Sequence, residues 1–139
     1  MKNNPFFENF DTPFETIPFS KIKTEHFIPA IDKAIDIGKE NIEAIVNNQN
    51  SADFDNTIEQ FEIASELLGM ISGVYWHLFG SHGSPNLKKL ADEISLKMSN
   101  YQNDYVLNKA LFSKIDKVYN DRVGANLDKH QLKLTEDVY

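Results

Sequence analysis

The sequence contains no cysteine, so disulfides and thiolate metal sites are excluded, as suits a reducing compartment. It has no apolar run near the roughly 18 residues a membrane-spanning helix requires, and no membrane partner is expected. Positive charge is scarce: 14 lysines and arginines stand against 21 aspartates and glutamates, for a net charge of -7. The lysines are scattered among acids and form no basic stripe able to neutralise a phosphate backbone, which argues against nucleic acid as a partner. The opening "MKNNPFFENF" interrupts its apolar residues with proline, asparagine and acid where a secretory signal needs an unbroken apolar stretch, so a cytoplasmic location is expected.

What is present fits one core: a chain of 139 residues buries roughly two thirds of its unfolded surface. Residues 1–23 differ from the rest. Half of the ten phenylalanines fall there (Phe6, Phe7, Phe10, Phe14, Phe19), interleaved with Pro5, Pro13 and Pro18. Proline removes a backbone donor and turns the preceding residue toward extended geometry, so this stretch reads as an extended arm. Five rings are too much apolar surface to leave in water, and the arm is expected to lie along the helices that follow.

From Thr24 to about Asn48, Phe27, Ile31, Ala34, Ile35, Ile42, Ile45 and Val46 recur at helical spacing, with Pro29 tolerated in the first turn. "NNQNSAD" breaks the pattern. A second helix is expected to start between Asp53 and Asn56, where Asn56 and Glu59 have capping-box spacing, and to run through Leu68, Ile71, Tyr75 and Leu78 to "GSHGSP". Ser84 and Pro85 announce a third helix through Leu90, Ile94, Met98 and Tyr101. A fourth begins near Asn108 and stops around Gly124, and Asp128 caps a fifth that runs to Tyr139 without a terminating signal, the mark of a fragment. The expected fold is all-α: an antiparallel bundle of four to five helices over residues 24–139, preceded by the extended arm of residues 1–23.

Candidate chemistry is thin. His77 and His82, five residues apart, lie about 140° apart on a helix, and no third ligand stands beside them to complete a catalytic zinc site. His26 and His130 are isolated, and none of the four histidines opens an H-E-x-x-H motif. Ser72, Ser81 and Ser84 lack a nucleophile-elbow context, and "GSHGSP" lacks phosphate-loop spacing. The paired acids Asp92 with Glu93, and Glu136 with Asp137, read as solvated helix faces. No catalytic and no metal residue is assigned. The second helix is unusual in being apolar all round, through Val74, Tyr75, Trp76, Leu78 and Phe79; such a helix is covered all round, and a short bundle leaves part of it for a further partner or for self-association. Gly69 and Gly73 on the same helix each cost about 1 kcal/mol of helix propensity, which close approach of another backbone would offset.

The stretches "FSKIKTEHFIPAIDKAI", "FDNTIEQFEIASELLGMISGVYWHLF", "SPNLKKLADEISLKMSNYQND" and "LNKALFSKIDKVY" resemble, in this order, the N-terminal region of the thimet oligopeptidase family of zinc metallopeptidases, in particular its bacterial peptidyl-dipeptidase and oligopeptidase A branch. Thr24 departs from the proline expected there. The resemblance implies an all-helical enzyme several times longer than this chain, cleaving short peptides in a deep channel, with zinc held by two histidines of H-E-x-x-H and a downstream glutamate. That segment is absent from residues 1–139, so this part is expected to bind no zinc and to be inactive alone. It corresponds to the start of the N-terminal lobe, whose partner is the remainder of the peptidase chain and whose wall restricts substrate size. A stand-alone helical interaction module is the competing reading.

If the phenylalanines of the arm pack on the helices, each buried ring contributes about 1.5–3 kcal/mol. Deleting residues 1–20 is therefore expected to lower the melting temperature markedly, as followed by circular dichroism; an unchanged melt would show that the arm carries no packing.

Overall fold

The computed structural model describes residues 4–7, 21–82 and 84–139; the side chains of Ser81 and His82, and with them the expected packing of Phe10, Phe14 and Phe19, lie outside that set. Among the described residues the architecture is all-helical, without a strand. Among the described residues six α-helices follow one another: α1 (Phe27–Asn47), α2 (Gln60–His82), the single turn α3 (Pro85–Lys88), α4 (Ala91–Val106), α5 (Lys109–Asp121) and α6 (Lys129–Val138). The chain divides into two compact units, Met1–Asp36 with Leu67–Ser99, and Ile37–Glu66 with Asn100–Tyr139.

The helix starts follow from local chemistry. Ser84 accepts a hydrogen bond from the Leu87 amide (3.2 Å), Asn108 from that of Leu111 (3.0 Å), and Asp128 from that of Gln131 (2.8 Å). Each cap satisfies an amide that the first turn leaves without a partner, worth about 1 kcal/mol. The second helical segment starts within the expected interval, at Asp53, but through a different capping box. Asp53 is the cap, accepting from the Asn56 amide (2.8 Å) while Asn56 Oδ1 accepts from the Asp53 amide (2.9 Å), and a wide π-type turn, Phe54–Glu59, leads into α2. Asn56 thus serves as the second half of the box, and Glu59 has no part in it.

The third helix is not continuous either. The Leu87 carbonyl accepts the Tyr75 hydroxyl (2.8 Å) and the Leu90 amide (3.2 Å), so it does not serve a regular helical bond to Ala91; α3 ends at Lys88 and α4 begins at Ala91. In the same unit, Phe27, Ile31, Ile71, Tyr75 and Ile94 are almost wholly buried. The Phe27 ring meets Tyr75 edge-on (5.3 Å) and Phe6 at a tilt (5.5 Å). Phe6 arrives there in a turn of 3-10 helix, Pro5–Phe7, rather than in extended chain. The fixed φ of proline suits the first position of such a turn, and the Asn4 side chain steadies it by accepting from the Phe6 amide (3.1 Å) and donating to the His26 carbonyl (3.0 Å).

In the second unit, α5 packs on the Phe54–Glu59 turn and on α6, over a core of Ile45, Ile58, Leu111, Ile115 and Val118. Its tightest point is Gly38. A β-carbon there would overlap the Tyr101 hydroxyl, stand 2.9 Å from its Cζ and 3.2 Å from the Ala64 carbonyl. The glycine is required by space, since its φ is not positive. The backbone approach expected at Gly69 and Gly73 is not there: a β-carbon at either meets nothing within 4 Å among the described residues.

Tyr101 Oη is buried without a hydrogen-bond partner, a cost of about 1–3 kcal/mol. Tyr101→Phe is therefore expected to raise the stability measured by urea denaturation. Gly38→Ala should lower it by about 1–3 kcal/mol through overpacking, despite the better helix propensity of alanine. Because the phenylalanine lacks the overlapping oxygen but keeps Cζ, the double variant should recover part of that loss; strictly additive effects would show that the two residues do not meet.

Candidate functional site

Among the described residues, several of the histidines and serines that could carry nucleophilic or ligand chemistry are engaged in the structure. His26 Nδ1 accepts a hydrogen bond from the Lys23 amide (2.9 Å), closing the turn Thr24–His26 that precedes α1, while its Nε2 lies 4.0 Å from the exposed Glu25 carboxylate. His77 is exposed on α2 and His130 on α6; the side chain of His82 falls outside the described residues. Ser72 is buried and donates to the Gly69 carbonyl (3.2 Å), and Ser84 is the cap of α3. Among the described residues no three histidines or carboxylates converge as a metal site needs, so the residues present do not fit the zinc that the family resemblance implies.

The acids serve ion pairs. Glu93 lies 3.8 Å from Lys97, which also reaches Asp32 (2.7 Å); this hydrogen bond to Asp32 is the main reason the Lys97 ammonium is held above its usual pKa. Glu136 pairs with Arg122 (3.6 Å) and Asp137 with Lys133 (3.5 Å). Asp92 and Glu93, both exposed, occupy the first turn of α4, where negative charge suits the helix dipole.

Two surfaces remain. On α2, Val74 and Tyr75 are buried while Trp76 is 41% exposed, its ring set edge-on to Tyr75 (4.9 Å) and Phe79 (5.5 Å). The apolar girdle read from the sequence is thus covered on one side and open on the other. The second surface is a groove of about 270 Å³ in the unit formed by Ile37–Glu66 and Asn100–Tyr139. Ile42, Val46 and Tyr101 give it apolar walls, Tyr105 an aromatic one, and Lys39, Glu43 and Asp104 carry its charge. Lys39 and Asp104 pair at 3.4 Å. Tyr105 is fixed by edge contacts to Phe61 and Tyr101, both at 5.3 Å. Sequence reading passed over this groove, because its residues come from α1 and α4, more than fifty positions apart; the i, i+4 pair Lys39 and Glu43 was the one local sign of it.

No family model matches the chain. It is 31% identical over 139 residues to a dipeptidyl carboxypeptidase of Salmonella typhimurium, all of this chain aligning with 20% of that protein. It is 30% identical over 136 residues to the dipeptidyl carboxypeptidase of Escherichia coli (98% of this chain, 20% of that protein), and 33% identical over 90 residues to oligopeptidase A of Escherichia coli (65% and 13%). The chain spans about a fifth of the length of the dipeptidyl carboxypeptidases it matches.

Burial holds the hydroxyls of Tyr75 and Tyr101 above the usual tyrosine pKa of 10.0, with smaller contributions from Asp92 and Tyr105 respectively. A raised folded-state pKa means that stability is fully present below pH 10.0 and is lost as the pH climbs through the folded values. In an alkaline titration the tyrosinate absorbance of these two residues is expected to appear together with loss of helical dichroism; tyrosinate formation by all five tyrosines in a chain that stays folded would contradict this burial.

Proposed function

The chain belongs to the thimet oligopeptidase family, being related along its whole length to the N-terminal part of those peptidases, and from this we propose that it serves as the N-terminal helical region of a cytoplasmic zinc peptidase acting on short peptides. The full-length match to two dipeptidyl carboxypeptidases is the observation that carries the reading. Within such an enzyme, residues 24–139 would form the start of the N-terminal lobe and contribute to the wall of the channel that admits small, extended peptides. The open side of α2 around Trp76 supports this role, since a large ring 41% exposed on an otherwise apolar helix is surface suited to burial against further chain.

The chemistry of hydrolysis would lie elsewhere. A catalytic zinc requires three protein ligands and an activated water, and the H-E-x-x-H segment that supplies two of them is not within residues 1–139. This region would instead position and exclude: packed helices bound the space, and peptides too bulky to enter are not cleaved.

Two measurements test the reading. The reading frame beyond Tyr139 should reach H-E-x-x-H, and the longer polypeptide should release fragments from a short peptide in a zinc-dependent manner. The chain of residues 1–139 alone should leave the same peptide intact with or without zinc, as seen by chromatography. Zinc-dependent cleavage by this chain, abolished by His77→Ala, would overturn the assignment of the chemistry to another segment.

A further inference from the structure

The groove between α1 and α4 has the composition of a cation site. Its floor is apolar (Ile42, Val46, Tyr101), Tyr105 lines one side, and two carboxylates, Glu43 and Asp104, stand against one ammonium, Lys39. Asp104 is paired with Lys39. Glu43 is exposed and makes no ion pair or hydrogen bond among the described residues. The volume, about 270 Å³, falls just below the range of roughly 300–1,000 Å³ usual for whole small-molecule ligands, and suits one long side chain.

The same chain shows how this combination is used. Arg122 lies over the ring of Tyr119, 3.8 Å from its centroid, and its Nε stands 3.6 Å from the Glu136 carboxylate. A planar cation sits well there because the guanidinium stacks on an aromatic face and presents a fork of donors to a carboxylate at once. Tyr105 and Glu43 offer the groove the same two groups. Arg122 is the only arginine within residues 1–139 and is already held by Tyr119 and Glu136, so a guanidinium in the groove has to come from outside these residues. A net charge of -7 favours the approach of such a cation.

We infer that this groove binds the guanidinium of an arginine side chain presented by a short peptide, stacked on Tyr105 and paired with Glu43. The choice of a peptide as the carrier rests on the proposed peptidase role; the guanidinium chemistry does not. Lysine is disfavoured because an ammonium cannot stack on the ring and meet the carboxylate with a fork of donors.

The experiment is an NMR titration of the chain with the blocked tripeptides acetyl-Ala-Arg-Ala-amide, its lysine counterpart and its uncharged citrulline counterpart, and with methylguanidinium alone. The arginine peptide is expected to cause saturable shifts at the amides of Glu43, Asp104 and Tyr105, with millimolar affinity that weakens as salt is raised. The lysine peptide should bind several-fold more weakly, and the citrulline peptide should give no saturable shift. Glu43→Gln should weaken the arginine peptide at least fivefold, and Tyr105→Leu likewise, while the rest of the spectrum shows each variant folded. Methylguanidinium binding as tightly as the peptide would identify a free guanidinium compound as the ligand and overturn the peptide assignment. Absence of saturable shifts at these residues, or affinity unchanged in Glu43→Gln, would overturn the site. The titration reads binding only, so a longer chain without peptidase activity would sink the enzymatic role and leave this result standing.

Discussion

The hydroxyl of Tyr75 and the carbonyl of Leu87 hold one unit of the chain in register. Tyr75 is wholly buried, and a buried phenol is costly unless its hydroxyl finds a partner. The acceptor it finds, 2.8 Å away, is a backbone carbonyl that a continuous helix would have used for itself. Turning that carbonyl to the tyrosine splits the segment after Ser84 into α3 and α4 and ties both to α2. The Tyr75 ring then supports Phe27 at the start of α1, and Phe27 supports Phe6. One side chain thus connects the described part of the N-terminal arm, α1, α2 and the α3 turn.

The other unit contains the opposite case. Tyr101 is nearly as deeply buried, at 4% exposure, yet its hydroxyl has no partner; the Ser65 hydroxyl is near enough to favour the ionised form without completing a bond. The ring keeps this position because Gly38 leaves room for it beside α1, and because Tyr105 packs edge-on against it. Dispersion and area burial hold the ring there against the cost of an unpaired oxygen. The same placement gives the groove an apolar wall at Tyr101 and packs Tyr105, another of its lining residues, against that ring.

Several features of this fold were legible because their causes are local. The spacing of Phe27, Ile31, Ala34 and Ile35 gave α1, and Ser84, Asn108 and Asp128 announced their helices by cap chemistry that depends on a few neighbouring residues. What escaped depends on contacts distant in sequence. Nothing near Lys89 signals a helix break, because its cause is a tyrosine twelve positions back along the chain from Leu87. Gly69 and Gly73 drew attention by their i, i+4 spacing, whereas the glycine under steric constraint, Gly38, is marked only by the distant Tyr101. The interval Asp53 to Asn56 did contain the cap, but which residues form the capping box is decided by the reciprocal bonds of Asp53 and Asn56. The groove was invisible for the same reason: Glu43 and Tyr105 are ordinary residues on separate helices.

The distribution of polar groups explains why the reactive-looking residues were poor guides here. A side chain whose lone pair already closes a turn, as His26 Nδ1 does for the Lys23 amide, has little left to offer a substrate. The same holds for Ser84 at its cap and for Glu93 and Glu136 beside their cations. Capability for recognition therefore resides in groups that local structure does not engage. Glu43 is such a group: it stands on a regular helix, contributes to no cap, and lines the same groove as an aromatic ring held by two others. A carboxylate so placed gains little from folding and much from a cation brought to it, because the ring beside it is already ordered and its own ordering cost is small. That asymmetry between what the fold satisfies and what it leaves unsatisfied separates the structural polar residues of this chain from those open to a partner.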